Sequence, residues 1–213
     1  MNKQEVLKVI ELLEREYPDA KCELNYNTPF QLLVATVLSA QTTDKNVNAV
    51  TKTLFVEYPD LYSFLTLSRE ELESKIKSIG LYRSKSKHIM NMCIALKEKF
   101  DGKVPREFEQ LITLAGVGRK TANVVISNAF NQPAIAVDTH VFRVSNRIGL
   151  AKAEDVLKTE LELQRIIPKE YWSLVHHLLI WHGRRICKAR KPNCPECVIK
   201  DRCKYYSNTF FDI

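Results

Sequence analysis

The stretch Leu114–Val125, "LAGVGRKTANVV", decides the fold. Gly116 and Gly118 flank Val117, Arg119 and Lys120 follow, and an apolar pattern at helical spacing runs on to Val125. A glycine turn that opens a helix beside a lysine usually marks a phosphate site. A nucleotide-binding P-loop would need G-x-x-x-x-G-K-[ST]. Here Thr113 takes the first glycine position, Arg119 separates Gly118 from Lys120, and no strand pattern precedes the turn. That reading fails. What remains is helix, tight turn, helix, with "EFEQLITLA" as the first helix and "RKTANVVISNA" opening the second. Glycine placement alone makes this an ordinary helix–helix turn. Arg119 and Lys120 move the reading toward a nucleic-acid backbone, held by the free N–H groups at the new helix start.

The whole chain supports that direction. Lys and Arg number 32 against 25 Asp and Glu, a formal charge of +7 over 213 residues. The excess favours a polyanionic partner. At 45% apolar residues and only six glycines, the chain is globular rather than disordered. The N-terminal "MNKQEVLKVIELLEREY" mixes charge with apolar residues at helical spacing, unlike a signal peptide. The longest apolar run, near "FQLLVATVLSA", is too short to cross a bilayer. The expectation is a soluble, cytoplasmic protein that makes no membrane contact.

The dominant period is helical. Val6, Val9, Ile10 and Leu13 share one face, and similar patterns recur along the chain. The only strand candidate, "PAIAV", reads as an extended loop. About ten helices and no sheet are expected, an all-α fold. No glycine- or serine-rich linker divides the chain. If it forms two lobes, packed segments connect them and a cleft between them is the natural site.

Four of the six cysteines lie in the last 27 residues, within "CKARKPNCPECVIKDRC". Cys187, Cys194, Cys197 and Cys203 follow C-x6-C-x2-C-x5-C. Zinc sites usually join two close pairs through a longer spacer. One close pair with two outliers, so compactly wrapped, suits a cubane iron–sulfur cluster. Zinc and disulfides are the alternatives. Cys22 and Cys93 fall on apolar patterns and read as buried free thiols.

Charge alone makes Lys120 a phosphate contact. Asp138, just before a helical pattern in "AIAVDTHVFRV", reads as an N-cap for the N–H of Thr139, His140 or Val141.

"LAGVGRKTANVV" resembles the helix-hairpin-helix element of the DNA-repair glycosylase superfamily, specifically its endonuclease III branch. The resemblance extends to "LLVATVLSAQTTD", "IGLYRSKSKHI", "AIAVDTHVFRVSNR" and the terminal cysteines, in the same order and spacing. One departure is visible: Ala115 stands where the family usually has proline, which would fix φ there.

The resemblance implies a two-lobed helical glycosylase fold. One domain spans 22–132, with the hairpin at about 107–130; 1–21 and 133–213 form the cluster domain. It implies a base-excision enzyme acting as a monomer on double-stranded DNA that carries damaged bases or abasic sites. Lys120 matches the Schiff-base lysine and Asp138 the catalytic carboxylate. A nucleophilic lysine must be neutral, and the helix start, Arg119 and partial burial of Lys120 would all help. Gly116, Val117, Gly118 and Arg119 would grip DNA backbone. Gln41 would fill the place of the flipped base and Leu81 would wedge into the stack. Asp44, itself read as a helix N-cap, and His140 would face the base pocket. The four cysteines match the ligands of a [4Fe–4S] cluster, with Lys188, Arg190 and Lys191 on the loop it shapes against phosphate. Damaged, oxidised pyrimidines are the implied substrates. Mismatch-specific relatives share the hairpin and the aspartate but lack the lysine. A DNA-binding module without turnover is the third reading.

Overall fold

A computed structural model describes residues 1–210. Among these residues there are twelve α-helices, three 3-10 turns and no strand. The chain divides into two compact units, Glu23–Gln132 and Met1–Cys22 with Pro133–Ile213.

The helix α1 (Lys3–Glu16) begins the second of these units and is held at its start by a capping box between Asn2 and Glu5. Val6, Val9, Ile10 and Leu13 are its buried face, as the period indicates.

The unit Glu23–Gln132 is built on α2 (Pro29–Leu38). Thr28 caps it, Pro29 occupies its first turn, and every residue from Phe30 to Leu38 is buried. A helix buried on all sides, with only Gln31 and Thr36 polar among those residues, must be surrounded. Around it in the same unit lie α3 (Asp44–Glu57), α4 (Leu61–Phe64), α5 (Arg69–Lys75), α6 (Tyr82–Lys99), α7 (Phe108–Leu111) and α8 (Arg119–Phe130). Phe64, fully buried, meets the rings of Phe30, Phe55 and Tyr58. The pairs with Phe30 and Tyr58 are edge-on, a geometry that adds to the area each ring buries.

The other unit adds α9 (Thr139–Ile148), α10 (Val156–Ile166), α11 (Trp172–Arg185) and α12 (Lys204–Phe210) to α1. Its core combines α1, α9 and α11 with Ile135, Val137, Ile199, Cys187 and Cys203, so part of the cysteine set belongs to the hydrophobic core. Residues 133–137 run extended into Asp138, and Ala134–Val137 are buried there.

Three expectations need correction. Twelve helices replace about ten: α4 is a single turn, and α10 exposes Val156, Leu157 and Leu161, which blurs its apolar stripe. The helix read from "EFEQLITLA" is only Phe108–Leu111, after which 3-10-type bonds such as Thr113 N–H to Gln110 O lead into the turn. Cys93 is buried, and burial pushes its thiol up to about 12, but Cys22 is only half-buried.

Phe64→Ala should cost about 3–5 kcal/mol, the usual cost of emptying a buried aromatic site. Urea denaturation followed by circular dichroism measures it.

Candidate active site

The hairpin is held by one close approach. Gly116 has φ +77°, and a Cβ placed on it would lie 2.9 Å from the Cβ of His88 on α6. Only glycine fits there without moving α6. Gly118 is different: its φ is −92°, and an added Cβ would meet nothing within 4 Å. It is the N-cap of α8 and provides no side-chain cap. Val117 is buried beneath the turn and donates its N–H to Leu114 O at 3.1 Å.

Arg119 lies over the Phe108 ring at 4.8 Å. Lys120 is the second residue of α8 and is exposed, so the partial burial expected of it is absent. Among the described residues its ammonium has no hydrogen bond or ion pair.

Gln41 and Leu81 sit on neighbouring turns of the same unit. Gln41 follows the end of α2 by three residues, at φ 54°; Leu81 is the N-cap of α6 at φ 60°. Both are exposed, Leu81 at 59%. Asp44 is the first residue of α3; the N-cap is Thr43, whose hydroxyl accepts from Asn46 N–H.

In the other unit Asp138 is the N-cap of α9. Its Oδ1 accepts from the N–H of His140 at 2.8 Å and of Val141 at 2.9 Å, while Oδ2 has no partner among the described residues. His140 meets Arg143 through Nδ1 at 3.2 Å, which makes Nδ1 the acceptor. Burial holds its imidazole below the usual pKa, while Asp138 opposes that and Arg143 and Arg184 reinforce it.

Cys187, Cys194, Cys197 and Cys203 are free thiols lining one cavity of about 20 Å³, together with His182, Ile199 and Tyr205. Among the described residues no three His, Cys, Asp or Glu side chains form a site for a single metal ion; the thiols surround a space instead. Four thiols around a common space, with apolar walls, are the donor set an iron–sulfur cluster takes. Burial pushes Cys197 up to about 11 and raises Cys194 and Cys203, so ligation would displace their protons.

Sequence reading missed the arginines that hold this segment. Arg143 donates to Cys187 O at 3.1 and 3.2 Å and to Gly183 O at 3.0 Å. Arg147, one turn further along α9, donates to Lys188 O at 2.7 Å and Ala189 O at 3.0 Å, and reaches Cys187 Sγ at 3.6 Å. Their i, i+4 spacing in "RVSNR" was the available signal. Lys188, Arg190 and Lys191 remain exposed on the loop so fixed. His182 was also missed; its Nε2 lies 3.5 Å from Cys197 Sγ and its Nδ1 3.0 Å from the Tyr17 hydroxyl.

A hairpin opening on a free lysine and a cage of four thiols define a class, and the family comparison agrees. Residues 34–169 match the HhH-GPD superfamily of base excision DNA repair proteins, and 187–203 match the iron–sulfur binding domain of endonuclease III. Endonuclease III of Haemophilus influenzae is 48% identical over 211 residues, covering 99% of this chain and 100% of that protein. The Bacillus subtilis endonuclease III is 52% identical over 189 residues, 88% of this chain and 86% of the relative. A solved endonuclease III–DNA covalent intermediate, trapped as an estranged-adenine complex, superposes with a TM-score of 0.92 at 48% identity, covering 98% of each chain. The chain belongs to the endonuclease III family of that superfamily.

Gly116→Ala should lose about 1–3 kcal/mol of stability through its left-handed backbone and the clash with His88. Gly118→Ala should leave the thermal midpoint within about 2 °C, a surface-sized change, yet weaken binding to duplex DNA. Thermal melts and fluorescence anisotropy measure the two effects.

Proposed function

We propose that this endonuclease III family enzyme, a base-excision DNA glycosylase and AP lyase that carries a [4Fe–4S] cluster, releases oxidised pyrimidines through Lys120 and Asp138. The observation that carries the reading is Lys120 itself, exposed and unpaired in the first turn of α8 immediately behind the glycine turn.

Gly116, Val117, Gly118 and Arg119 hold the DNA backbone, which fixes the lysine relative to the phosphates on either side of the lesion. The damaged base swings out of the duplex, Gln41 takes its place opposite the orphaned partner and Leu81 wedges into the stack. Asp44 and His140 are each assigned to contact with the flipped base. Neutral Lys120 attacks C1′ through Nζ, the glycosidic C–N bond breaks, and the base leaves with a proton. The sugar ring opens to a protonated imine on Nζ. Loss of a C2′ proton then breaks the C3′–O bond, releasing the 3′ phosphate and nicking the strand.

Asp138 spends one oxygen on capping α9 and keeps Oδ2 for chemistry. An unpaired carboxylate oxygen can stabilise the positive charge that develops at C1′ and assist proton transfer. Cys187, Cys194, Cys197 and Cys203 hold the cluster, which ties the segment together and supplies no bond-breaking step. Arg143 and Arg147 fix that segment's backbone, and Lys188, Arg190 and Lys191 meet phosphate. The enzyme works as a monomer, in the cytoplasm at the DNA; no helix among the described residues is long and apolar enough to cross a membrane.

Lys120→Ala should abolish nicking of duplexes that carry one abasic site while leaving their binding largely intact; nicking at the wild-type rate would assign the nucleophile elsewhere. Asp138→Asn retains a good N-cap, so the thermal midpoint should hold while single-turnover base release slows by about 10²–10⁴-fold. A collapsed fold with an unchanged rate per folded molecule would reduce Asp138 to a cap. Removing any one of Lys188, Arg190 and Lys191 should lower the salt slope of binding by about 0.9.

A further inference from the structure

Lys85 is a buried lysine in a protein whose other cations are mostly solvated. It is 4% exposed, on the inward face of α6. Its Nζ donates to Leu38 O at 2.7 Å, Ala40 O at 2.6 Å and Thr42 Oγ1 at 3.1 Å. An ammonium has three donors, and all three are used. The acceptors bracket Gln41: Leu38 ends α2 and leaves a carbonyl that the helix does not satisfy, and Ala40 and Thr42 are Gln41's chain neighbours.

The same residue is bonded to the other turn. The backbone N–H of Lys85 donates to Leu81 O at 3.0 Å, closing the first turn of α6. The two turns also touch through Gly80, where an added Cβ would lie 3.8 Å from both Gln41 O and Thr42 Oγ1. Gln41 and Leu81 are both left-handed, at 54° and 60°, and neither is glycine. Such backbone persists only where its surroundings over-determine it.

From these contacts we infer that Lys85 is a positioning residue that locks the turn bearing Gln41 to the turn bearing Leu81, so that the two side chains enter DNA as one rigid unit. This rests on the gap-filling and wedging roles proposed above for those two residues. A buried ammonium makes the lock stiff, because any shift of residues 38–42 strands a charge away from water. Burial already disfavours that charge and lowers the group's pKa, so the three acceptors cannot be given up singly without loss. An apolar side chain of the same length would fill the space and leave the turn free to drift. A displacement of about 1 Å in such elements is costly where two groups must arrive together.

The test uses the full-length enzyme with its cluster and two duplexes, one undamaged and one carrying a single stable abasic-site analogue. Lys85→Met should weaken binding to the abasic duplex roughly tenfold, the loss of about one net hydrogen bond, and leave binding to the undamaged duplex unchanged. In a Gln41→Ala background the same substitution should add clearly less than it does in the wild type, because only the placement of Leu81 is left to lose. A full additive loss in the double variant, or an equal loss on both duplexes, would overturn the proposal. If Gln41→Ala and Leu81→Ala each leave abasic-duplex binding untouched, the roles given to those residues are wrong. Hydrogen exchange then decides the lock by itself: Lys85→Met should speed amide exchange at 39–43 and 80–82 while the rest of α6 stays protected, and unchanged exchange there rejects it. If Lys85→Met does not fold, Thr42→Val removes one acceptor and should show the same selective loss in smaller degree; equal binding by wild type and Thr42→Val in that case counts against the lock.

Discussion

The φ of +77° at Gly116 is the constraint on which the active hairpin depends. It lets the chain pass His88 at a distance no side chain allows and then begin α8 three residues later. The place of Lys120 in the first turn of α8 and its exposure follow from that start. Gly118 contributes openness rather than a special torsion. The two glycines of one motif therefore differ physically, one packed close against α6 and the other facing open space.

A second theme is that side chains hold backbone where the chain is irregular. Gln41 and Leu81 are left-handed non-glycine residues, and Lys85 is bonded to Leu81's own carbonyl and to Gln41's neighbours Ala40 and Thr42. The cysteine segment contains only 3-10 turns, and Arg143 and Arg147 satisfy its carbonyls from the side of α9. Asp138 begins that same helix. One helix thus carries a carboxylate at its start and two guanidinium groups that shape the cluster loop. In each case a charged group on a regular helix disciplines an irregular loop, the arrangement that lets a loop carry chemistry.

Much of this was legible in the sequence, because the informative features are local. The turn residues, the lysine behind them, the N-cap aspartate and the cysteine spacing are all defined within about twenty residues. Reading failed where the information is long-range. Lys85 sits in "YRSKSKHIM" between Arg83 and Lys87, and nothing local separates the buried cation from the two exposed ones. His182 is one of several histidines in α11 and gains its meaning only from Tyr17, 165 residues away. The assignment of Asp44 as a cap failed more narrowly, because Thr43 beside it is also a good N-cap and the structure uses the threonine.

The most direct measurement is to locate the covalent bond. Wild-type enzyme is incubated with a duplex that carries one abasic site, the imine is reduced with borohydride, and the digested complex is analysed by mass spectrometry. The reduced sugar adduct should fall on the peptide containing Lys120, at its Nζ. An adduct on any other amine, or no adduct under conditions where the strand is nicked, would contradict a mechanism built on that lysine.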